Sequence, residues 1–298
     1  MHLVMMVVAV VCSYYIRTKY SASGGSWSER WQRAIALFLF PPLLLLTTSV
    51  AVVCMESQGH IVRFWDGWFA YGLAKLAVGE AAPKELGIAL GFCFWVIVKL
   101  LISTLDANYL LKKINNYPQI DLEGFSAHLL NISDIFIAQV GFYHPKLVVS
   151  EGLLQLLDRE HLEAVLLHEQ AHYHYQDTFW FFWLGWIRDC TAWLPNTNVL
   201  YSELLALREL RADRWAINHV DSLILAESLL TVVTKPILVS PIACGAFNST
   251  SQNLFVERIE ALLKEPEDLL APNWWLWIWL ILAFSPLATI PLHHHLQA

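Results

Sequence analysis

Four apolar runs, Met1 to Ile16, Ala34 to Met55, Leu86 to Leu105 and Asn273 to Leu292, restrict this chain more than any other feature. A bilayer core takes about 20 apolar residues as a helix. Within lipid every backbone N–H and C=O must find a partner inside the protein, so each run is expected to be helical. The first run is short, and a signal peptide is its rival. No basic stretch precedes it and no small-residue cleavage site follows, so a span is expected. The second run carries Pro41-Pro42, which removes two backbone donors and should kink the helix. A neighbouring span must then cover the freed carbonyls.

Composition points the same way. Of 298 residues 56% are hydrophobic and 15% charged, where a soluble domain carries about a quarter charged. The 14 Trp, 15 Phe and 10 Tyr suit a lipid–water boundary. A net charge of −7 gives no support to nucleic-acid binding. Cys12, Cys54, Cys93, Cys190 and Cys244 show no paired spacing and read as small buried hydrophobes, without a disulfide framework or a thiolate metal site.

Basic residues set the expected orientation. Arg17, Lys19, Arg30 and Arg33 crowd the first loop, Lys112 and Lys113 follow the third run, and Arg258 and Lys264 precede the fourth. The loop between the second and third runs holds only Arg63, Lys75 and Lys84. The positive-inside rule then puts the N-terminus outside and the stretch from Asp106 to Pro272 in the cytoplasm. The expected domains are a membrane part over 1–105 with three transmembrane helices, a cytoplasmic part over 106–272, and a fourth transmembrane helix with a short tail over 273–298.

Within 106–272 the residue pattern predicts short strands at Ile135 to Phe142 and Lys146 to Val149. Ser150 is placed to cap a short helix through Leu157, and Asp158 to cap a longer one from Arg159 to about Tyr175. Pro195 to Asn198 reads as a turn, and Val199 to Val220 has helical spacing. The aromatic stretch Thr178 to Ile187 is too short to span and reads either as an interfacial segment or as core. The fold class is mainly α, integral membrane, with about four transmembrane helices and a soluble α+β domain.

His168-Glu169-Gln170-Ala171-His172 lies late in the Asp158-capped helix. Residues four apart share a helix face, so both imidazoles can converge on one ion, with the Glu169 carboxylate at its flank. That is the pattern of a zinc hydrolase, in which the acid takes a proton from a bound water. Such a centre needs a third protein ligand. Glu209-Leu-Arg-Ala-Asp213 offers Glu209 as that ligand and Asp213 as the group that fixes a histidine tautomer. The plain alternative is an exposed charged face, with Arg208, Arg211 and Arg214 as ordinary surface partners. Asp177 reads either as a hydrogen-bond acceptor for the site or as a helix terminator. His174 is expected on the flank, and His128, His144, His161, His219 and the tract His293-His294-His295 carry less weight. Tyr201, Arg208 and Arg211 are candidates to stabilise a tetrahedral intermediate, with no local feature choosing among them.

These motifs, preceded by Pro145-Lys-Leu-Val-Val-Ser-Glu-Gly-Leu-Leu154, resemble the membrane gluzincins typified by the BlaR/MecR beta-lactam sensor-transducers. The resemblance covers Phe142 to about Val220, and the three-plus-one arrangement of apolar runs matches. It implies a cytoplasmic zincin-like endopeptidase holding one zinc ion per chain through His168, His172 and Glu209, with Glu169 as general base. It also implies regulatory proteolysis, with a transcriptional repressor as the type of protein substrate and the lipid bilayer, expected to be a bacterial inner membrane, as a second partner. A strand near Phe142 to Val149 would hold the substrate extended by adding it to a sheet edge. The transducers carry an extracellular penicillin-binding sensor after their fourth span. This chain is expected to lack one, and no Ser-x-x-Lys motif takes its place. The HtpX and CAAX-processing types also use HExxH with a later Glu-x-x-x-Asp, at a longer separation. Two alternatives therefore stand beside the repressor reading: a quality-control protease of the HtpX type, and a regulatory membrane protein whose zinc is structural.

Overall fold

The computed structural model describes residues 2–20, 24–57, 84–233, 250–264 and 274–295. Arg63, Lys75, Cys244 and the side chains of His293, His294 and His295, which enter the expectations above, lie outside the described residues and side chains. The chain forms two compact units, one of residues 1–101, 186–201 and 271–298, the other of residues 102–185 and 202–270. Residues 186–201 thus group with the apolar runs, although the sequence reading places them in the 106–272 part.

The first unit contains α1 (His2–Thr18), α2 (Trp27–Ser57), most of the apolar stretch of α3 (Lys84–Ile114), and the short pair α10 (Trp274–Leu282) and α11 (Ser285–His295). Helix α2 continues through Pro41 and Pro42. The missing N–H of Pro42 frees the carbonyl of Phe38, four residues back. Arg17 Nη2 donates to that oxygen at 3.0 Å, and Ser13 Oγ donates to Pro41 O at 3.4 Å. A neighbouring helix therefore covers the proline break, as the sequence requires. Arg17 itself is fully buried. Its Nη1 reaches Thr197 Oγ1 at 3.2 Å, and Asn196 Nδ2 donates to its carbonyl at 2.8 Å. This corrects its place in the charge count, because Arg17 is a buried member of α1 and not a loop cation.

Among the described residues two helices, α2 and α3, are long and apolar enough to cross a membrane. Helix α1 has 17 residues. The fourth run is interrupted by a turn at Ala283-Phe284, whose Ala283 carbonyl accepts from Thr47 Oγ1 at 2.5 Å. Helix α3 leaves Ile88, Phe94, Ile97, Leu101 and Leu105 exposed, an apolar surface of the kind that marks a contact with another protein or with lipid. Of the four described cysteines, all free, Cys190 is buried as expected of a small hydrophobe, whereas Cys12 is exposed and Cys54 and Cys93 are half-buried.

The second unit begins with the end of α3 and a four-stranded sheet, β1 (Gln119–Leu122), β2 (Phe125–Leu130), β3 (Ile137–Val140) and β4 (Lys146–Ser150), in the order β1-β2-β4-β3. β2 and β4 are parallel and the other pairs antiparallel. The two predicted strands are β3 and β4, and β1–β2 is an additional hairpin. β2 and β4 are central and β1 and β3 are the edges, so the edge beside the expected stretch lies at 137–140 in β3, and β4, which takes up most of 142–149, is not an edge. Ser150 caps α4 (Glu151–Leu156) by accepting from Leu153 N at 3.2 Å. Asp158 caps α5 (Arg159–His174) by accepting from His161 N at 3.0 Å. Both caps satisfy N–H groups that a helix start leaves orphaned. Leu153, Val165 and Leu166 then pack against Ala127, Leu147 and Val149 on one face of the sheet. Among the described residues this unit also takes in most of α6 (Asp177–Cys190) and α7 (Thr197–Ala216), and all of α8 (Ser222–Val233) and α9 (Thr250–Leu263). Ala164 of α5, Ala216 of α7, Leu225 of α8 and Leu262 of α9 share a second core.

Candidate metal centre

Helix periodicity puts His168 and His172 on one face of α5, and packing buries that face. His168, Glu169 and His172 are all buried, and their ligand-capable atoms lie within 4.8 Å of one another. The two Nε2 atoms are 3.2 Å apart. His168 Nε2 is 3.4 Å from Glu209 Oε2, and His172 Nε2 is 3.7 Å from Glu209 Oε1. Glu209 comes from α7, so two helices supply the donor set.

The opposite ring nitrogens decide what faces inward. His168 Nδ1 lies 2.8 Å from Asp213 Oδ1, and His172 Nδ1 lies 2.8 Å from Asp177 Oδ2. A carboxylate can only accept, so each Nδ1 that faces one carries a proton, and each Nε2 is left to face the other imidazole and Glu209. With both imidazoles neutral, two Nε2 lone pairs and a carboxylate at this separation repel one another unless a cation, a proton or a metal ion, sits among them. A tetrahedral zinc with Zn–N near 2.0–2.1 Å would space its nitrogens by about 3.3 Å. The residues present fit that ion.

Each supporting carboxylate is held in turn by an arginine. Arg211 pairs with Asp177 through Nη2 and Oδ1. Arg258 grips Asp213 with two bonds of 2.7 Å, Nε to Oδ2 and Nη2 to Oδ1, and its Nη1 is 3.4 Å from Glu209 Oε2. Arg208 Nη2 donates to Glu209 Oε1 at 2.6 Å and its guanidinium covers the Phe181 ring. These are not the solvated pairs of an exposed helix face. The side chains of Asp213 and Glu209 are 3% and 16% exposed. Burial alone would raise both carboxyl pKa values, yet Arg258 with His168 pulls Asp213 below the usual range, and Arg208 with His172 pulls Glu209 well below it. Burial also opposes a charge on His168, but the Asp213 carboxylate outweighs it and the imidazole is pushed up to about 9.

Glu169 Oε2 accepts from the backbone N of Gln139 on β3 at 3.1 Å. The carboxylate is thereby anchored between the sheet edge and the histidine pair.

Residues 117–185 match the family model of Peptidase family M48. The matched stretch runs from just before β1 into α6, so it includes His168, Glu169, His172 and Asp177 and stops before Glu209, Asp213 and Arg258. This segment is similar to a metallopeptidase, and peptidases of that family are zinc-dependent. Comparison with curated proteins and with solved structures gives no match.

The geometry thus brings His168, Glu169, His172, Glu209, Asp213 and Asp177 together. Asp177 accepts from His172 and also opens α6; Tyr175, not Asp177, ends α5. Arg208 and Arg211 are engaged by Glu209 and Asp177, Tyr201 packs on Phe38 and Arg188, and His174 stacks on Trp215. The aromatic stretch 178–187 is helical, with Phe181 and Leu184 buried, Trp180 exposed, and Phe182 against Phe142 of the β3–β4 turn. Two site residues escape the sequence reading. Gln139 contributes a backbone atom, which no side-chain motif reports. Arg258 had a usable signal: with Leu254 and Leu262 it lies in an i, i+4, i+8 row of α9, a charge inside a core-facing stripe.

Proposed function

We propose that this protein is a membrane-bound zinc-dependent endopeptidase that cuts a cytoplasmic or membrane-proximal protein. The observation that carries this is the pair of imidazole Nε2 atoms 3.2 Å apart, each ring backed by a carboxylate, beside a Glu on the same helix. His168, His172 and Glu209 would hold zinc, which when bound supplies a Lewis acid and a water with pKa near 7. Asp213 and Asp177 keep both imidazoles in the Nδ1–H tautomer, and Arg258 and Arg211 hold those carboxylates in place. Glu169 accepts the proton of the attacking water and passes it to the leaving amine. The outer edge of β3 holds the substrate extended, by main-chain pairing that ignores most side chains. The long apolar helices α2 and α3 support membrane attachment, and the loop charges support a cytoplasmic site.

Glu169→Gln keeps the shape and loses the base, so hydrolysis should fall by at least 10²-fold while bound zinc, measured by metal analysis on the same sample, stays at one per chain. Normal cleavage by that variant would sink the mechanism. The same variant serves as a trap. The resemblance to the sensor-transducers supports regulatory proteolysis, for which one dominant soluble DNA-binding partner should be captured. Many unrelated membrane fragments would instead identify a quality-control protease of the HtpX type. Wild-type and Glu169→Gln cells with the same proteolytic pattern would identify a zinc-containing regulatory protein without turnover.

A further inference from the structure

β3 is an edge strand whose backbone groups alternate between the sheet and the open side. Ser150 N donates to Phe136 O, which places 136, 138 and 140 toward β4. Alternation then turns the N–H and C=O of Ile137 and Gln139 outward. An outward edge N–H is the donor that an added strand needs. In this structure the Gln139 N–H is already used, because it donates to Glu169 Oε2 at 3.1 Å, and Gln139 Nε2 adds a 3.5 Å bond to the Glu169 carbonyl. One donor therefore has two claimants, the general base and the arriving peptide.

We propose that Gln139 is a positioning residue that latches Glu169 in a resting geometry until an extended polypeptide pairs with β3, takes over the Gln139 amide, and releases Oε2 to accept the proton of water. This rests on the peptidase reading above. The exchange replaces one N–H···O bond with another, and hydrolysis keeps its balance, since the water proton passes to Oε2 and then to the leaving amine. The consequence is that substrate registration and base activation become one event, so a polypeptide that does not lie along β3 leaves the base latched.

The test uses the full-length, zinc-loaded chain in detergent micelles, with unfolded β-casein as the extended polypeptide. Hydrogen exchange of the Gln139 amide is followed in wild type, Glu169→Gln and Glu169→Ala. Without casein, the amide should be protected in wild type and exchange roughly tenfold faster or more in Glu169→Ala, which has no acceptor. Casein should restore protection in Glu169→Ala and bind it more tightly than Glu169→Gln, whose side-chain oxygen still competes for the donor. Equal exchange in all three proteins overturns the latch, as does casein that binds and leaves the amide of Glu169→Ala unprotected. A second variant, Gln139→Pro, removes the donor at an outward edge position where proline costs no ladder bond. It should raise KM for casein more than it lowers kcat; a fall in kcat at unchanged KM overturns the proposal. Wild type that never cleaves casein counts against the peptidase reading, whereas exchange that ignores Glu169 counts against the latch alone.

Discussion

At the scale of single residues, the centre is two relays that meet. Arg258 holds Asp213, which holds His168; Arg211 holds Asp177, which holds His172. Outer partners of this kind typically carry 10–100-fold in metal affinity. Asp213→Asn should therefore weaken zinc binding by roughly that factor, measured by competition with a chromophoric chelator. Arg258→Met should do nearly the same, and the double variant should be no worse than the worse single, because members of one relay are not additive. Protons compete for the same site. With His168 pushed up to about 9, the metal-free centre holds a proton at neutral pH, so zinc must displace it. Affinity should fall about tenfold per pH unit below that value. The stability sign follows from the same shift. A group raised in the folded state stabilises fully below its ordinary value of 6.5 and loses that contribution as pH rises through about 9. In chelator the melting temperature should drop between those pH values, and with zinc bound that drop should be absent. The helical spacing made His168, His172, Glu209 and Asp213 readable from the chain alone. The row of Leu254, Arg258 and Leu262 marks Arg258 as inward-facing, but its partner Asp213 lies 45 residues away, and no local rule names a partner across that distance.

At the scale of elements, local chemistry announced some pieces and tertiary packing decided others. Ser150 and Asp158 start their helices as their side chains require, because a cap is a contact within three residues. The β1–β2 hairpin carried a signal that is easy to pass over: Glu123 and Gly124 both have positive φ, 52° and 88°, between Leu122 and Phe125. A two-residue turn with glycine between extended runs is a hairpin turn, here supported by Asp121 Oδ1 accepting from Gly124 N at 3.1 Å. The proline break in α2 shows the opposite case. Sequence demands a partner for the freed carbonyl and cannot name it; only packing brings Arg17 to Phe38 O. This yields a rescue experiment. Arg17→Met leaves a buried carbonyl unpaired, which costs about 1–3 kcal/mol. Pro42→Ala restores an N–H to that same oxygen. The pair Arg17→Met with Pro42→Ala should regain part of the loss in a denaturation series, whereas Pro42→Ala should not rescue Leu166→Ala, a core deletion that costs about 2–5 kcal/mol by another route.

At the scale of the whole molecule, the number of crossings determines where the chemistry takes place. Helices α2 and α3 have 31 residues each, about 46 Å at 1.5 Å per residue, more than the roughly 30 Å hydrocarbon core needs. The fourth run is harder to place, since 9 and 11 residues separated by a turn give about 14 and 17 Å, neither enough alone. Taken together they reach the required length, provided that the backbone groups opened at the turn are covered, and Thr47 covers the Ala283 carbonyl. The distribution of Lys and Arg favours a cytoplasmic side for Lys112, Lys113 and Lys264 even with Arg17 removed from the count, since Lys19, Arg30 and Arg33 remain near the start of α2. An alkaline phosphatase reporter, active only outside the cytoplasm, should be silent when fused after Lys113 and active when fused at Ala298. Silence at both positions would mean that the broken fourth run turns back without crossing. Activity after Lys113 would reverse the orientation, and the candidate centre with its substrate edge would then face outward, away from any cytoplasmic repressor.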